Sequence, residues 1–84
     1  MAGHGKGKVK RIYPYSDGCY ILLEYEGVKP KDGYFHLDKG HNNYNSLYSL
    51  AVVAAVNGYD LLIRVSPDIT PDEHGQVVYM YINF

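Results

Sequence analysis

From residue 19 onward, apolar and polar side chains alternate in four separate runs, interrupted once by a run with helical spacing. In the first run Cys19, Ile21, Leu23 and Tyr25 share one side, and Tyr20, Leu22, Glu24 and Glu26 share the other. A period of two is that of a strand with one buried face. Residues 34–38 repeat it with Phe35 and Leu37 inward, and residues 60–66 repeat it with Leu61, Ile63 and Val65. Residues 76–84 are expected to place Val78, Met80, Ile82 and Phe84 toward the core and Val77, Tyr79 and Tyr81 away from it. Residues 8–15 alternate less cleanly, with Val9, Ile12, Tyr13 and Tyr15 as apolar content. Pro14 puts the end of that strand near an edge or a bulge. Ser16-Asp17-Gly18 joins it to the next strand as a hairpin, because Asp-Gly tolerates positive φ.

Residues 43–57 are the one helix predicted. Asn42 or Asn43 is suited to cap its start, and Gly58 stands where a left-handed residue ends a helix. Leu47, Leu50, Ala51 and Ala54 make one stripe, and Val52, Val53 and Val56 cover the opposite side. A helix apolar nearly all round is covered on more than one face. Either loops cover the valine side or a second subunit does, so Val52, Val53 and Val56, together with Tyr79 and Tyr81, are interface candidates for a homo-oligomer.

Composition narrows the function classes. The chain has 84 residues, enough for one domain. Residues 1–7 are glycine-rich and expected to be a flexible tail, leaving 8–84 as the single domain. The formal net charge is −1, which argues against a general nucleic-acid binder. The charge is uneven: Lys6, Lys8, Lys10 and Arg11 cluster early, and Asp68, Asp72 and Glu73 cluster late. No run approaches the ~18 apolar residues of a membrane-spanning helix, so no membrane insertion is expected; nor is a signal-peptide pattern read at the start. Ten tyrosines, two phenylalanines and no tryptophan are present. Tyrosine suits half-buried strands and also binding faces.

Three strands, a helix and two strands (β-β-β-α-β-β) is the element order of the OB-fold, a small five-stranded barrel. The fold class read from the chain is therefore mainly β with one helix, OB-fold-like; an α+β sandwich is the alternative. The segments Arg11-Ile-Tyr-Pro, Asp17-Gly18, Gly33-Tyr34-Phe35, Asn43-Tyr44, Leu47-Tyr48-Ser49-Leu50, Asn57-Gly58 and Val78-Tyr79 resemble a group of small, uncharacterised, often exported proteins of Burkholderia and related Gram-negative bacteria. That resemblance implies a periplasmic or secreted location. Several members carry a cysteine pair, but this chain has Val28 at one position and Ser66, Pro67 and Asp68 around the other. The element order is also similar to the B subunits of AB5-type toxins, which implies a ring-forming glycan binder.

Mapped onto an OB-fold, the usual ligand face draws on Tyr15, Asp17, Tyr20, Glu24, Tyr34 and His36, with Asp72 and His74 from the last loop. Aromatic rings there would stack on a sugar while acids and amides bond its hydroxyls, so an oligosaccharide is the expected partner. No cofactor is expected, and no metal: His36 and His41 lack ligand spacing. Removal of Met1 would expose Ala2-Gly3-His4, which can wrap Cu(II) or Ni(II) in a square plane. Cys19 has no activating partner at motif spacing, and Ser46 and Ser49 have none either. The chain is expected to bind rather than catalyse. The alternatives are a monomeric structural or antigenic protein without a small ligand, and an OB-type binder of single-stranded nucleic acid.

Overall fold

The computed structural model describes residues 3–83. Five strands and one helix follow in order: β1 (His4–Tyr15), β2 (Gly18–Glu24), β3 (Tyr34–Asp38), α1 (Tyr44–Asn57), β4 (Asp60–Val65) and β5 (Gly75–Tyr81). A short 3-10 turn, Lys31–Gly33, precedes β3. The strands make one sheet whose hydrogen bonding closes on itself in the order β1-β2-β3-β5-β4, with β4 paired back to β1. All pairings are antiparallel except β3 with β5.

Closure depends on β1, which serves two neighbours. Its first half pairs with β4, from His4 opposite Arg64 to Lys8 opposite Asp60. Its second half pairs with β2, from Lys8 opposite Glu24 to Tyr15 opposite Gly18. Between them the register slips: Val9 faces Leu23, Arg11 faces Leu22, and Lys10 is the extra residue. A bulge of this kind bends the strand and reverses which residues point outward. Before it the outward residues are His4, Lys6 and Lys8; after it they are Arg11, Tyr13 and Tyr15.

The expectation of a flexible tail over residues 1–7 is corrected here: His4–Gly7 are part of β1. Met1 and Ala2 lie outside the described residues, and with Ala2 the first residue of the candidate Cu(II) or Ni(II) motif. The alternating glycines, which by composition suggest disorder, are sites of close approach. A Cβ on Gly5 would sit 2.5 Å from Phe35 Cζ, and one on Gly7 would sit 2.0 Å from the Glu24 carbonyl oxygen. Only glycine lets the strand cross so near its neighbours.

Inside the closed sheet lie Cys19, Ile21, Leu23, Phe35, Leu37, Leu61, Ile63, Val65, Val77 and Met80, joined by Leu47, Ala51 and Ala54 from α1 and by Ile69 from the loop after β4. The alternation read for β2, β3 and β4 is the burial observed. β5 differs: Val77 is buried and Val78 is exposed, the reverse of expectation. A second register slip explains this, since Arg64 faces Tyr79 while Val65 faces Val77, and Val78 is skipped. The Val78 carbonyl accepts a hydrogen bond from His41 Nε2 at 2.8 Å. Tyr79 and Tyr81 point outward, as the sequence indicates; Phe84 lies outside the described residues.

α1 starts at Asn43, whose side chain makes no capping bond. The Asn43 N–H instead donates to His41 Nδ1 at 3.0 Å. His41 thereby ties the helix start to β5 with both ring nitrogens. The helix ends at Gly58, at φ 69°, and the Tyr59 N–H closes back on the Ala54 carbonyl, as a left-handed glycine permits. No described helix is long and apolar enough to cross a membrane.

Candidate ligand-binding face

The pairing registers place four residues side by side across the outer surface: Tyr13 on β1, Tyr20 on β2, His36 on β3 and Gln76 on β5. Beside that row run Arg11, Leu22 and Tyr34, and on its other side Tyr15, Gly18 and Asp38. Directly opposed and diagonal residues on a sheet touch, so these strands assemble an aromatic surface from dispersed sequence positions.

Tyr20 is its hub. Its ring stacks on Tyr15 with centroids 5.0 Å apart and planes 4° from parallel. It also meets Tyr13 at 6.1 Å, Tyr34 at 5.6 Å, His36 at 5.1 Å and His74 at 4.8 Å. Ring pairs at such distances each contribute about 0.5–1.5 kcal/mol beyond their buried area. Tyr20 is half-buried, whereas Tyr13 and Tyr15 remain 54% and 37% exposed. The outer ring surface open to a ligand therefore belongs to Tyr13 and Tyr15.

Polar groups lock the rings in place. His36 Nδ1 lies 2.9 Å from Gln76 Oε1. That oxygen can only accept, so Nδ1 carries the proton and, in the neutral ring, Nε2 accepts from the Tyr15 hydroxyl at 2.8 Å. Arg11 donates to the Tyr34 hydroxyl at 2.9 Å. The Tyr15 phenol is pushed from 10.0 up to about 12, by hydrogen bonding with Tyr20 first, then by desolvation and the negative charges of Tyr20, Asp17 and Asp38. The raised value favours the neutral phenol, whose proton can be donated to His36.

Of the residues singled out from sequence, Tyr15, Tyr20, Tyr34, His36 and His74 come together, and Asp17 acts on Tyr15 through its charge. Glu24 does not join them. It sits four residues from Tyr20, about 13 Å along the strand at the usual rise, and pairs with Lys10 at 3.8 Å. Asp72 is exposed in the loop before β5; the carboxylate facing His74 is Asp32, at 3.9 Å. Tyr13, Arg11, Asp32 and Gln76 were missed. Tyr13 was detectable two positions from Tyr15, but Gln76 joins only through the parallel β3–β5 pairing.

Cys19 is fully buried. Desolvation pushes its thiol up, with the Tyr44 hydroxyl pulling the other way. Ser46 and Ser49 are exposed on α1. Among the described residues no three His, Cys, Asp or Glu side chains gather as a metal site. Of the interface candidates, Val52 is half-buried, Val53 is 44% exposed and Val56 is 79% exposed. Tyr79 and Tyr81 lie on the outer side of β5, 46% and 38% exposed. The chain matches no family model, and comparison with curated proteins and with solved structures likewise gives no match.

Proposed function

We propose that the chain is an OB-fold-like barrel that binds an oligosaccharide, without catalysis, on the surface centred on Tyr20. The strand order, the parallel β3–β5 contact and the helix between β3 and β4 support the fold. In that fold the faces of strands two and three, with the adjoining loops, take oligosaccharides or oligonucleotides. The observation that carries the reading is the gathering of four tyrosines and two histidines in that place, with Tyr15, Tyr34 and His36 fixed by hydrogen bonds.

The electrostatics favour a sugar over a phosphate chain. Asp17 and Asp38 act on Tyr15, Asp32 faces His74, and Arg11 is engaged by Tyr34. A polyanion approaching this face would meet carboxylates, and phosphate neutralisation dominates nucleic-acid affinity. A neutral pyranose would lay its apolar side on Tyr13 and Tyr15, with hydroxyls toward Gln76 and Asp32. A glycan array followed by NMR titration tests this. Array hits that shift the Tyr20 and His36 amides, and vanish in Tyr13→Ala, are expected. An array without hits would sink it.

Ring assembly, as in the toxin B subunits with the same element order, is a second reading, favoured by the exposure of Val53 and Val56 on α1. Light scattering at high concentration would show a multiple of 9.5 kDa; a monomer mass removes this reading and leaves the first intact.

A further inference from the structure

A second outer surface lies across the first half of β1, β4 and β5. Two rows cross it: His4, Arg64 and Tyr79, then Lys6, Leu62 and Tyr81. Neighbouring strands are about 4.8 Å apart, so the tyrosines lie about 10 Å from Lys6. The Tyr79 and Tyr81 ring centroids are 6.1 Å apart with planes at 30°, and both rings are open to solvent. Leu62, half-buried, makes an apolar floor between them and Lys6.

Two cations here, Lys6 and Arg64, have no acid paired with them among the described residues. Among the described residues the ion pairs are Lys8–Asp60, Lys10–Glu24 and His74–Asp32; neither Lys6 nor Arg64 takes part in one. On the β1 side the surface runs into an open cleft lined by His4, Lys6, Tyr25, Val28 and Ile69, with Glu26 the one carboxylate in its wall. Beside the cleft, Lys29 donates to the Tyr25 carbonyl and lies 4.8 Å from the centroid of the Tyr25 ring, with donors left over for a ligand. The path therefore has Tyr79 and Tyr81 at one end, Tyr25 with Lys29 at the other, and Lys6 and Arg64 between them.

We propose that this surface docks a short single-stranded nucleic acid, its bases on Tyr79 and Tyr81 and its phosphates toward Arg64, Lys6 and Lys29. Base stacking on aromatic side chains along a positive track is how single strands are held without sequence preference. The rings select nucleic acid over a purely acidic peptide, which would use the cations and leave the tyrosines idle. The overall charge of −1 conceals this surface because Asp17, Asp38 and Asp32 lie on the other face, while of the acids on this side Asp60 is taken up by Lys8 and Glu26 stands in the cleft wall. The inference stands independently of the sugar reading.

The test titrates the full chain with dT8 and with U8, followed by amide shifts and by anisotropy at several salt concentrations. Shifts at Leu62, Arg64, Tyr79 and Tyr81, with none at Tyr20 or His36, are expected from both. Tyr79→Ala and Tyr81→Ala should each weaken binding about tenfold. Lys6→Gln should lower the slope of log affinity against log salt by about 0.7. Tyr20→Ala should leave oligonucleotide binding unchanged. The proposal fails if low salt gives no binding, if the shifts fall on the Tyr20 face, or if polyglutamate binds as well and the tyrosine variants lose nothing. Amide spectra of each free variant confirm that it is folded.

Discussion

The two outer surfaces use the same strand to opposite ends. The second half of β1 puts Arg11, Tyr13 and Tyr15 beside the Tyr20 cluster, where rings and polar groups are engaged with one another. The first half puts His4 and Lys6 beside Arg64 and Leu62, in the rows that end at Tyr79 and Tyr81, where Lys6 and Arg64 stay out of the ion pairs among the described residues. An interlocked face is preorganised and keeps its shape without a ligand. A face of unpaired cations attracts charge but holds no fixed geometry. Side-chain chemistry alone does not separate them, since both contain tyrosine, histidine and arginine. What separates them is whether the polar groups found partners within the fold.

The largest expected effect destroys both faces at once. Gly7→Ala forces a methyl onto the Glu24 carbonyl, 2.0 Å away, and overpacking against backbone should cost about 3 kcal/mol or more. At about 0.05–0.15 kcal/mol per residue, a chain of 84 residues has about 4–12 kcal/mol in total. Chemical denaturation should show a large loss of midpoint; an unchanged midpoint would mean that β1 does not cross so closely. Tyr20→Ala should come next, at about 2 kcal/mol, through lost ring contacts and partial burial. It should remove sugar binding while the amide shifts of Tyr79 and Tyr81 stay in place.

Alkaline titration examines the interlocked face alone. The folded state raises the Tyr15 pKa above 10.0, to about 12, so it favours the neutral phenol. That contribution is fully present below pH 10 and is lost as pH rises from about 10 to about 12. Ultraviolet titration of phenolate should show a late component that Tyr15→Phe lacks. The smallest effect is expected on the open face. Tyr79→Ala should change stability by about 0.5 kcal/mol, and combined with Tyr20→Ala the two should add within about 0.5 kcal/mol. Clear non-additivity would show that the two faces are coupled through the core.

Much of the architecture is legible in local pattern. The alternation of Cys19, Ile21 and Leu23, of Phe35 and Leu37, and of Leu61, Ile63 and Val65 matches the buried face. Gly58 marks the helix end because only a left-handed residue fits there. Reading failed at the bulges and the glycine strand. Lys10 and Val78 each insert one residue and reverse the inward–outward phase of the strand beyond them. Neither residue carries a compositional mark, because the slip is forced by closing the sheet, not by the residue that absorbs it. His4–Gly7 reads as a tail because glycine lacks a side chain to pattern, and it is ordered because that same lack lets β1 lie against Phe35 and Glu24.

The sequence by itself determined the number and type of elements, their order and most of the core, since a period of two or of 3.6 is set by backbone geometry within each segment. It also supplied the tyrosines. Tertiary structure decided which of them meet. Tyr13, Tyr20, His36 and Gln76 lie on four different strands and become one row only through three strand pairings. Lys6 and Lys10 are chemically alike in the sequence. The bulge at Lys10 and the pairing with β4 leave Lys6 beside Leu62 in the row that ends at Tyr81, while Lys10 reaches Glu24. Which charge is paired and which is free depends on strand register, and register is a property of the closed sheet.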